Sequence, residues 1–334
     1  MSNDIDVNRS LVRRPSYLKI AIQIAVIAMV TWMIFYFMRE YASDISNLRN
    51  LSIPDFFLIG AWSFVSYTAY AYAVYVVLVS VGLKNLGAFD WLKIYFVSRL
   101  ANLFVIQGGN VFRLVILKKK YDFSYTNSIG VTGFLVWINA VIALLASAFF
   151  LASVDQPSLL LGTSLFHWSV IVALTMLIGP SALAWAILSF RDTMAWQSRW
   201  LRPIGDMAKF FVATLRNPAL FSRITILSIV HFVFFVGVNF LTFRAIGQPV
   251  DIASVCLFTT AFVFTRYINV VPGNLGVSEL VAGLVSEQIG IGFGNGLLVS
   301  GIVRIVEVVM ILLVGVLYGK VLAYNYLRNG PGNE

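Results

Sequence analysis

Phe96-Val97-Ser98-Arg99-Leu100-Ala101-Asn102, followed by Gly108-Gly109-Asn110, and Val263-Phe264-Thr265-Arg266-Tyr267-Ile268-Asn269, followed by Pro272-Gly273-Asn274, are near copies half a chain apart. Each reads hydroxyl-Arg-x-x-Asn and then a glycine break. The two arginines lie 167 positions apart in a chain of 334, so the repeat divides the protein into equal halves. Both copies sit in apolar sequence. Duplicated, glycine-broken helices that carry an arginine are the recurring sign of a transport site between two repeats.

The surrounding composition sets the solvent. Hydrophobic residues make up 59% of the chain and charged residues 12%, and the mean hydropathy is +0.85. A soluble domain is about half apolar, so these values describe an all-α polytopic membrane protein, one membrane domain over 1–334. A single cysteine, Cys256, and two histidines, His167 and His231, supply neither a disulfide framework nor a Cys/His metal site. No cofactor is expected. The net charge of +9 comes from basic residues dispersed through inter-span loops without a nucleic-acid motif. Their expected partners are anionic lipid headgroups, not RNA or DNA.

Six stretches are long enough to cross about 30 Å of hydrocarbon: 18–38, 55–81, 126–152, 163–190, 222–243 and 295–320. The first follows Arg9, Arg13 and Arg14 and is longer than a signal-peptide core, so it reads as a retained span. The repeats occupy two further segments, 91–117 and 252–290, each broken in the middle by glycines. If each segment is a re-entrant hairpin, seventeen basic residues fall on the cytoplasmic side. Three (Arg39, Arg49 and Arg244) fall outside, and four (Arg99, Arg113, Arg266 and Arg304) stay in the membrane. That skew is strongly positive-inside; a single crossing by 91–117 would place Lys118, Lys119 and Lys120 outside and weaken it.

The expected architecture is therefore six full spans plus two re-entrant helical hairpins, with both termini inside. Residues 1–152 form a first half with hairpin 91–117, and 163–325 form a second half with hairpin 252–290. Three full crossings per half make the two halves inverted in topology. Between them, 191–221 mixes Arg191, Arg199, Arg202, Lys209 and Arg216 with Trp196, Trp200, Phe210 and Phe211. It reads as a cytoplasmic amphipathic linker, either snorkelling at the headgroups or docking a specific lipid.

An arginine near the bilayer centre costs about 2.5–3.5 kcal/mol on insertion scales, so the four intramembrane arginines need partners or a cavity. Arg304 and Glu307 lie three apart on the last span, share a face, and are expected to form an internal ion pair. Glycines 108 and 109, and Pro272, Gly273 and Gly276, break the helices where the hairpins turn, exposing free backbone N–H groups and a positive dipole end. With Arg99, Arg113 and Arg266 nearby, the tips are expected to form a cationic pocket for a phosphate. Asn102, Asn110, Asn269 and Asn274 would add donors and acceptors. The alternative reading is that the glycines only permit a turn and the arginines pair with Glu279, Glu287 or Glu307. Glu279 either neutralises an arginine or carries a coupling proton.

Pro272-Gly273-Asn274-Leu275-Gly276-Val277-Ser278-Glu279 resembles the Pro-Gly-Gly-x-Gly-x-x-Glu signature of the lysylphosphatidylglycerol synthase transmembrane-region family, the flippase-like domain family. Arg99-x-x-Asn102, then Gly109-Asn110-Val111-Phe112-Arg113, resembles its other motif, Asn and then Gly-Glu-x-x-Arg. Asn110 stands where that family commonly has Glu, and Asn274 replaces the middle glycine of the second signature. The span layout is similar over essentially the whole chain. The resemblance implies a domain that moves an anionic phospholipid or a polyprenyl-linked glycan between leaflets of a bacterial cytoplasmic membrane, alongside envelope-biosynthesis enzymes. No soluble aminoacyl-transfer domain is recognisable, so aminoacylation of lipid is not expected.

Two other classes stay open. A membrane glycosyltransferase using a lipid-phosphate sugar donor would need an acid beyond the first span, where Glu40 and Asp44 are the candidates. A non-transporting scaffold would dock envelope-assembly enzymes through 191–221. No serine-histidine-acid set, phosphate-binding P-loop or dinucleotide fingerprint is present, and the leading expectation is a transporter and not an enzyme.

Overall fold

Ser52 starts the first long helix: its hydroxyl accepts from the Asp55 N–H and the Asp55 carboxylate accepts from the Ser52 N–H, a capping box. A computed structural model of the chain describes residues 46–105, 107–152, 159–160, 163–189, 202–267 and 276–328, together with Trp32, Tyr36 and Arg39. After a 3-10 turn, Ser46–Asn50, the order is α1 (Ile53–Ser80), α2 (Ala88–Phe104), α3 (Gly108–Tyr121), α4 (Tyr125–Leu151), a two-residue antiparallel ladder (Leu159–Leu160 with Thr163–Ser164), α5 (Leu165–Ser189), α6 (Arg202–Arg216), α7 (Pro218–Ala245), α8 (Ile252–Thr265), α9 (Val277–Gln288) and α10 (Phe293–Arg328).

Five of these helices are long and apolar enough to cross a membrane: α1, α4, α5, α7 and α10. They are the expected spans 55–81, 126–152, 163–190, 222–243 and 295–320; the expected span 18–38 lies outside the described residues. α7 starts four residues earlier than its apolar run because Asn217 caps it, accepting from the Leu220 N–H, and Pro218 occupies the first helical position. The linker 191–221 contributes α6; 190–201 lie outside the described residues. Phe211 of α6 packs edge-on to Trp137 and Phe134, with ring centroids 4.8 and 5.3 Å away. Lys209 and Asp206 pair across a partly exposed face.

The sequence of elements repeats. The helices α7, α8, α9 and α10 begin 165, 164, 169 and 168 residues after α1, α2, α3 and α4. The two 28-residue helices α1 and α7 form the most extensive helix pair. Their approach needs Gly237, where a Cβ would lie 2.2 Å from the Trp62 ring, and a polar tie joins Ser66 Oγ to His231 Nδ1 at 2.8 Å. Around this pair the halves exchange arms: α2 packs on α10, and α8 packs on α4. Hydroxyls fasten the second of these contacts. Ser147 and Thr260 bond at 2.6 Å, and Thr260 donates to the Ala143 carbonyl at 3.0 Å. Interhelical hydroxyl bonds of this kind are the polar glue of membrane bundles.

Both segments that hold the repeated motif are helix–break–helix pairs, α2/α3 and α8/α9, each with its two arms in contact. At 17, 14, 14 and 12 residues, every arm is shorter than the roughly 20 residues of a full crossing.

Candidate functional site

The break between α2 and α3 is built from three residues. Gln107 takes the left-handed conformation, with φ of 59°. At Gly109 any side chain is excluded, since a Cβ would lie 1.7 Å from the Ser98 carbonyl oxygen. The Gly109 N–H donates to Asn102 Oδ1 at 2.7 Å, so an asparagine on α2 caps the first turn of α3. Asn102 thereby spends its carbonyl on the turn and keeps its amide N–H groups for the space beyond. From the turn, Gln107, Asn110 and Arg113 climb one face of α3 at three-residue spacing. Asn110 donates to Gln107 Oε1, and Arg113 donates to Asn110 Oδ1.

In the second pair, Arg266 is the C-cap of α8, where the negative end of the helix dipole favours a cation. Residues 268–275 lie outside the described residues, so Asn269, Pro272, Gly273 and Asn274 are not placed. Gly276, with φ of 83°, begins α9, and its N–H donates to Glu279 Oε2 at 2.7 Å.

The ion pairs cross between helices. Glu307 on α10 accepts from Arg266, and Arg304 on α10 contacts Glu279 on α9 and donates to Ser278. The expected internal Arg304–Glu307 pair is thus replaced by two interhelical pairs. An arginine placed N-terminal to the acid is the weaker order for an in-helix pair, and each crossed pair ties α10 to one arm of the second hairpin. The Arg304 Nε and Glu279 Oε1 touch without hydrogen-bond alignment, so that contact is Coulombic.

These elements enclose a cavity of about 410 Å³. Its wall brings together Arg99, Asn102, Asn110 and Arg113 of the first half with Arg266, Arg304 and Glu307 of the second. Gly108, Gly109, Gly276 and Glu279 do not line it; they shape the turns and hold Arg304. The two arginines of the repeat meet on one residue, Tyr67 of α1. The Arg99 guanidinium lies 4.6 Å and that of Arg266 5.8 Å from the Tyr67 ring centre, and Arg266 Nη1 donates to the Tyr67 hydroxyl at 2.9 Å. Arg266 is also 4.3 Å from the Phe235 ring. Cation–π contacts hold a guanidinium in place without cancelling its charge.

Sequence reasoning missed Tyr67, Tyr70, Tyr95 and His231, all in the cavity wall. Tyr67 and Tyr70, three apart on the second span, were the available signal: two phenols on one face of a membrane helix need somewhere polar to point. Glu40 and Asp44 lie outside the described residues.

Four arginines against two carboxylates, with hydroxyls around them, can bind an anion and orient a hydroxylated group. Among the described residues no group of three His, Cys, Asp or Glu could hold a metal ion. The family model described as "Lysylphosphatidylglycerol synthase TM region" matches residues 20–315. No curated protein and no solved structure matches the chain.

Proposed function

The chain belongs to the lysylphosphatidylglycerol synthase transmembrane-region family, and from that premise and the cavity we propose that it is a lipid transporter. It binds the anionic headgroup of a phospholipid or polyprenyl-linked glycan between two hairpins while the tail stays in the bilayer. The observation that carries this reading is the meeting of Arg99 and Arg266 on Tyr67. Two positions 167 apart in sequence converge on one ring, and a convergence of cations inside apolar helices has its use in recognising an anion.

In this reading α2/α3 and α8/α9 are re-entrant hairpins, one entering from each face, and the halves are inverted with both termini cytoplasmic. The exchanged arms, α2 on α10 and α8 on α4, support a two-fold relation between halves. Alternating access rocks one half against the other about the α1–α7 pair. α6 lies along the cytoplasmic surface as the connector. The protein works in a bacterial cytoplasmic membrane beside envelope-biosynthesis enzymes and performs no covalent chemistry on its lipid.

The test is reconstitution into vesicles with headgroup-labelled anionic lipid and a reductant that quenches only the outer leaflet. Wild-type protein is expected to expose inner-leaflet label, and Arg99→Gln and Arg266→Gln each to slow this at least tenfold. Equal rates in wild-type and empty vesicles would sink the proposal.

A further inference from the structure

The cavity carries four guanidinium groups, and only two of them meet a carboxylate. Eight carboxylates are described. Asp55 and Asp251 cap helices; Asp90, Asp122 and Asp206 pair with lysines. Glu287 accepts from the Phe293 N–H. Glu307 lines the site and pairs with Arg266, and Glu279, outside the wall, contacts Arg304. No described carboxylate forms an ion pair with Arg99 or Arg113; Glu307, already paired with Arg266, acts on Arg99 only at longer range.

The partners of these two are neutral. Arg99 rests on the Tyr67 ring, and its Nε is buried with no hydrogen-bond partner. Arg113 lies 6.0 Å from the Tyr95 ring centre and donates to the Asn110 carbonyl. The amide places Arg113 as a carboxylate would, yet leaves its charge intact. Among the described residues the formal balance of these groups is therefore two positive charges. An uncompensated guanidinium in low dielectric is costly, so the ligand that restores neutrality carries two negative charges.

Resting on the lipid-binding reading above, we propose that the site takes a doubly charged phosphate, a monoester or diphosphate, in preference to a singly charged phosphodiester, and that Asn110 sets this preference by holding Arg113 without neutralising it. A phosphate monoester brings about −1.5 to −2 charges at pH 7 and three acceptor oxygens, a match for two guanidinium forks of five N–H donors each. A phosphodiester would leave one arginine uncompensated.

The experiment uses the full chain in detergent, titrated with short-chain phosphatidic acid, short-chain phosphatidylglycerol, or inorganic pyrophosphate, with affinity read by thermal shift. Wild-type protein is expected to bind the monoester about tenfold or more tighter than the phosphodiester, the worth of one charge-assisted contact. Asn110→Asp changes an amide to a carboxylate in the same shape and is expected to bring that ratio close to one; Arg113→Gln should do the same. A second measurement needs no variant: the wild-type preference should shrink below about pH 6, where the monoester loses its second charge. Both lipids binding equally in wild type would overturn the charge inference and leave lipid binding standing. Binding of neither lipid would overturn both. Pyrophosphate that binds and is not displaced by phosphatidic acid would assign the site to a soluble anion and defeat the lipid reading.

Discussion

In the first hairpin the N–H of Gly109 donates to the neutral amide of Asn102; in the second the N–H of Gly276 donates, at the same 2.7 Å, to the carboxylate of Glu279. The contrast extends to the arginines. Those of the second half, Arg266 and Arg304, meet Glu307 and Glu279, whereas Arg99 and Arg113 of the first half meet Tyr67 and Asn110. One side of the cavity is electrostatically closed, and its pairs fasten α8 and α9 to α10. The other is held in shape by neutral groups, without an ion pair to a described carboxylate. Duplicated sequence has thus diverged into a half fastened by ion pairs and a half that, in the function proposed above, receives the ligand.

The sharpest way to break this comparison is to delete a charge from each side. Glu307→Ala leaves Arg266, partly buried beside an aromatic wall, without its acid, which is expected to cost about 2–3 kcal/mol, below the cost for a fully buried pair. Arg99→Gln removes a charge that forms no ion pair with a described acid, so its melting temperature is expected near or above that of wild type, even though ligand binding is lost. Thermal melting in detergent reads both. Equal loss of stability in the two variants would mean that both halves are fastened alike.

Next in size is Gly109→Ala. The added Cβ falls on the Ser98 carbonyl, and backbone cannot swing aside as a side chain can. The cost is expected near the top of about 1–3 kcal/mol for overpacking, with α2 and α3 forced apart. The second hairpin offers the control. Gly276 is constrained by its φ of 83° and ψ of −37°, so Gly276→Ala strains the backbone by about 1–3 kcal/mol without a backbone clash of the kind at position 109, and α8 and α9 stay in contact.

Asn102→Ala comes third. It removes the acceptor for Gly109 and is expected to cost about 1 kcal/mol, the usual worth of an N-cap. Faster amide exchange should be confined to the first turn of α3. Spread of the effect to α10 would show that the first hairpin fastens the fold after all.

Much of this was legible in the chain. The apolar runs of the spans were legible because hydropathy acts locally, whereas the caps at Ser52 and Asn217 that move the helix starts outward were not read. The glycine breaks at 108–109 announce close backbone approach. Arg99, Asn102, Asn110, Arg113 and Arg266 stood out because polar groups are expensive in apolar sequence. The partner of Glu307 was legible only as a choice between Arg304 on its own helix and an arginine of the repeat; the structure gives Arg266, because the choice depends on which helix arrives alongside. Tyr67, Tyr70, Tyr95 and His231 were hidden by their own amphipathic character. On a membrane span an aromatic ring looks the same whether it faces lipid, core or cavity.

The smallest effect separates the hairpins at their entry points. α8 is capped by Asp251, which accepts from the Ser254 N–H at 2.9 Å and the Ser254 hydroxyl at 2.6 Å, whereas α2 begins at Gly87 with no side-chain cap. Partial burial pushes the Asp251 carboxyl up, but the hydrogen bonds from Ser254 and from the backbone N–H groups of Ala253 and Asp251 together outweigh it and hold the group below the usual carboxylate value. A depressed folded value means that this cap stabilises above about pH 4, the value in the unfolded chain. The contribution is lost as pH falls through the lower, folded value. Amide exchange, corrected for the intrinsic rate, should therefore quicken in the first turn of α8 on acidification and stay level in the first turn of α2. Asp251→Ala should reproduce the acid behaviour at neutral pH, at about 1 kcal/mol. If both first turns loosen together, the acid is acting on the bundle as a whole and the second hairpin has no titrating cap of its own.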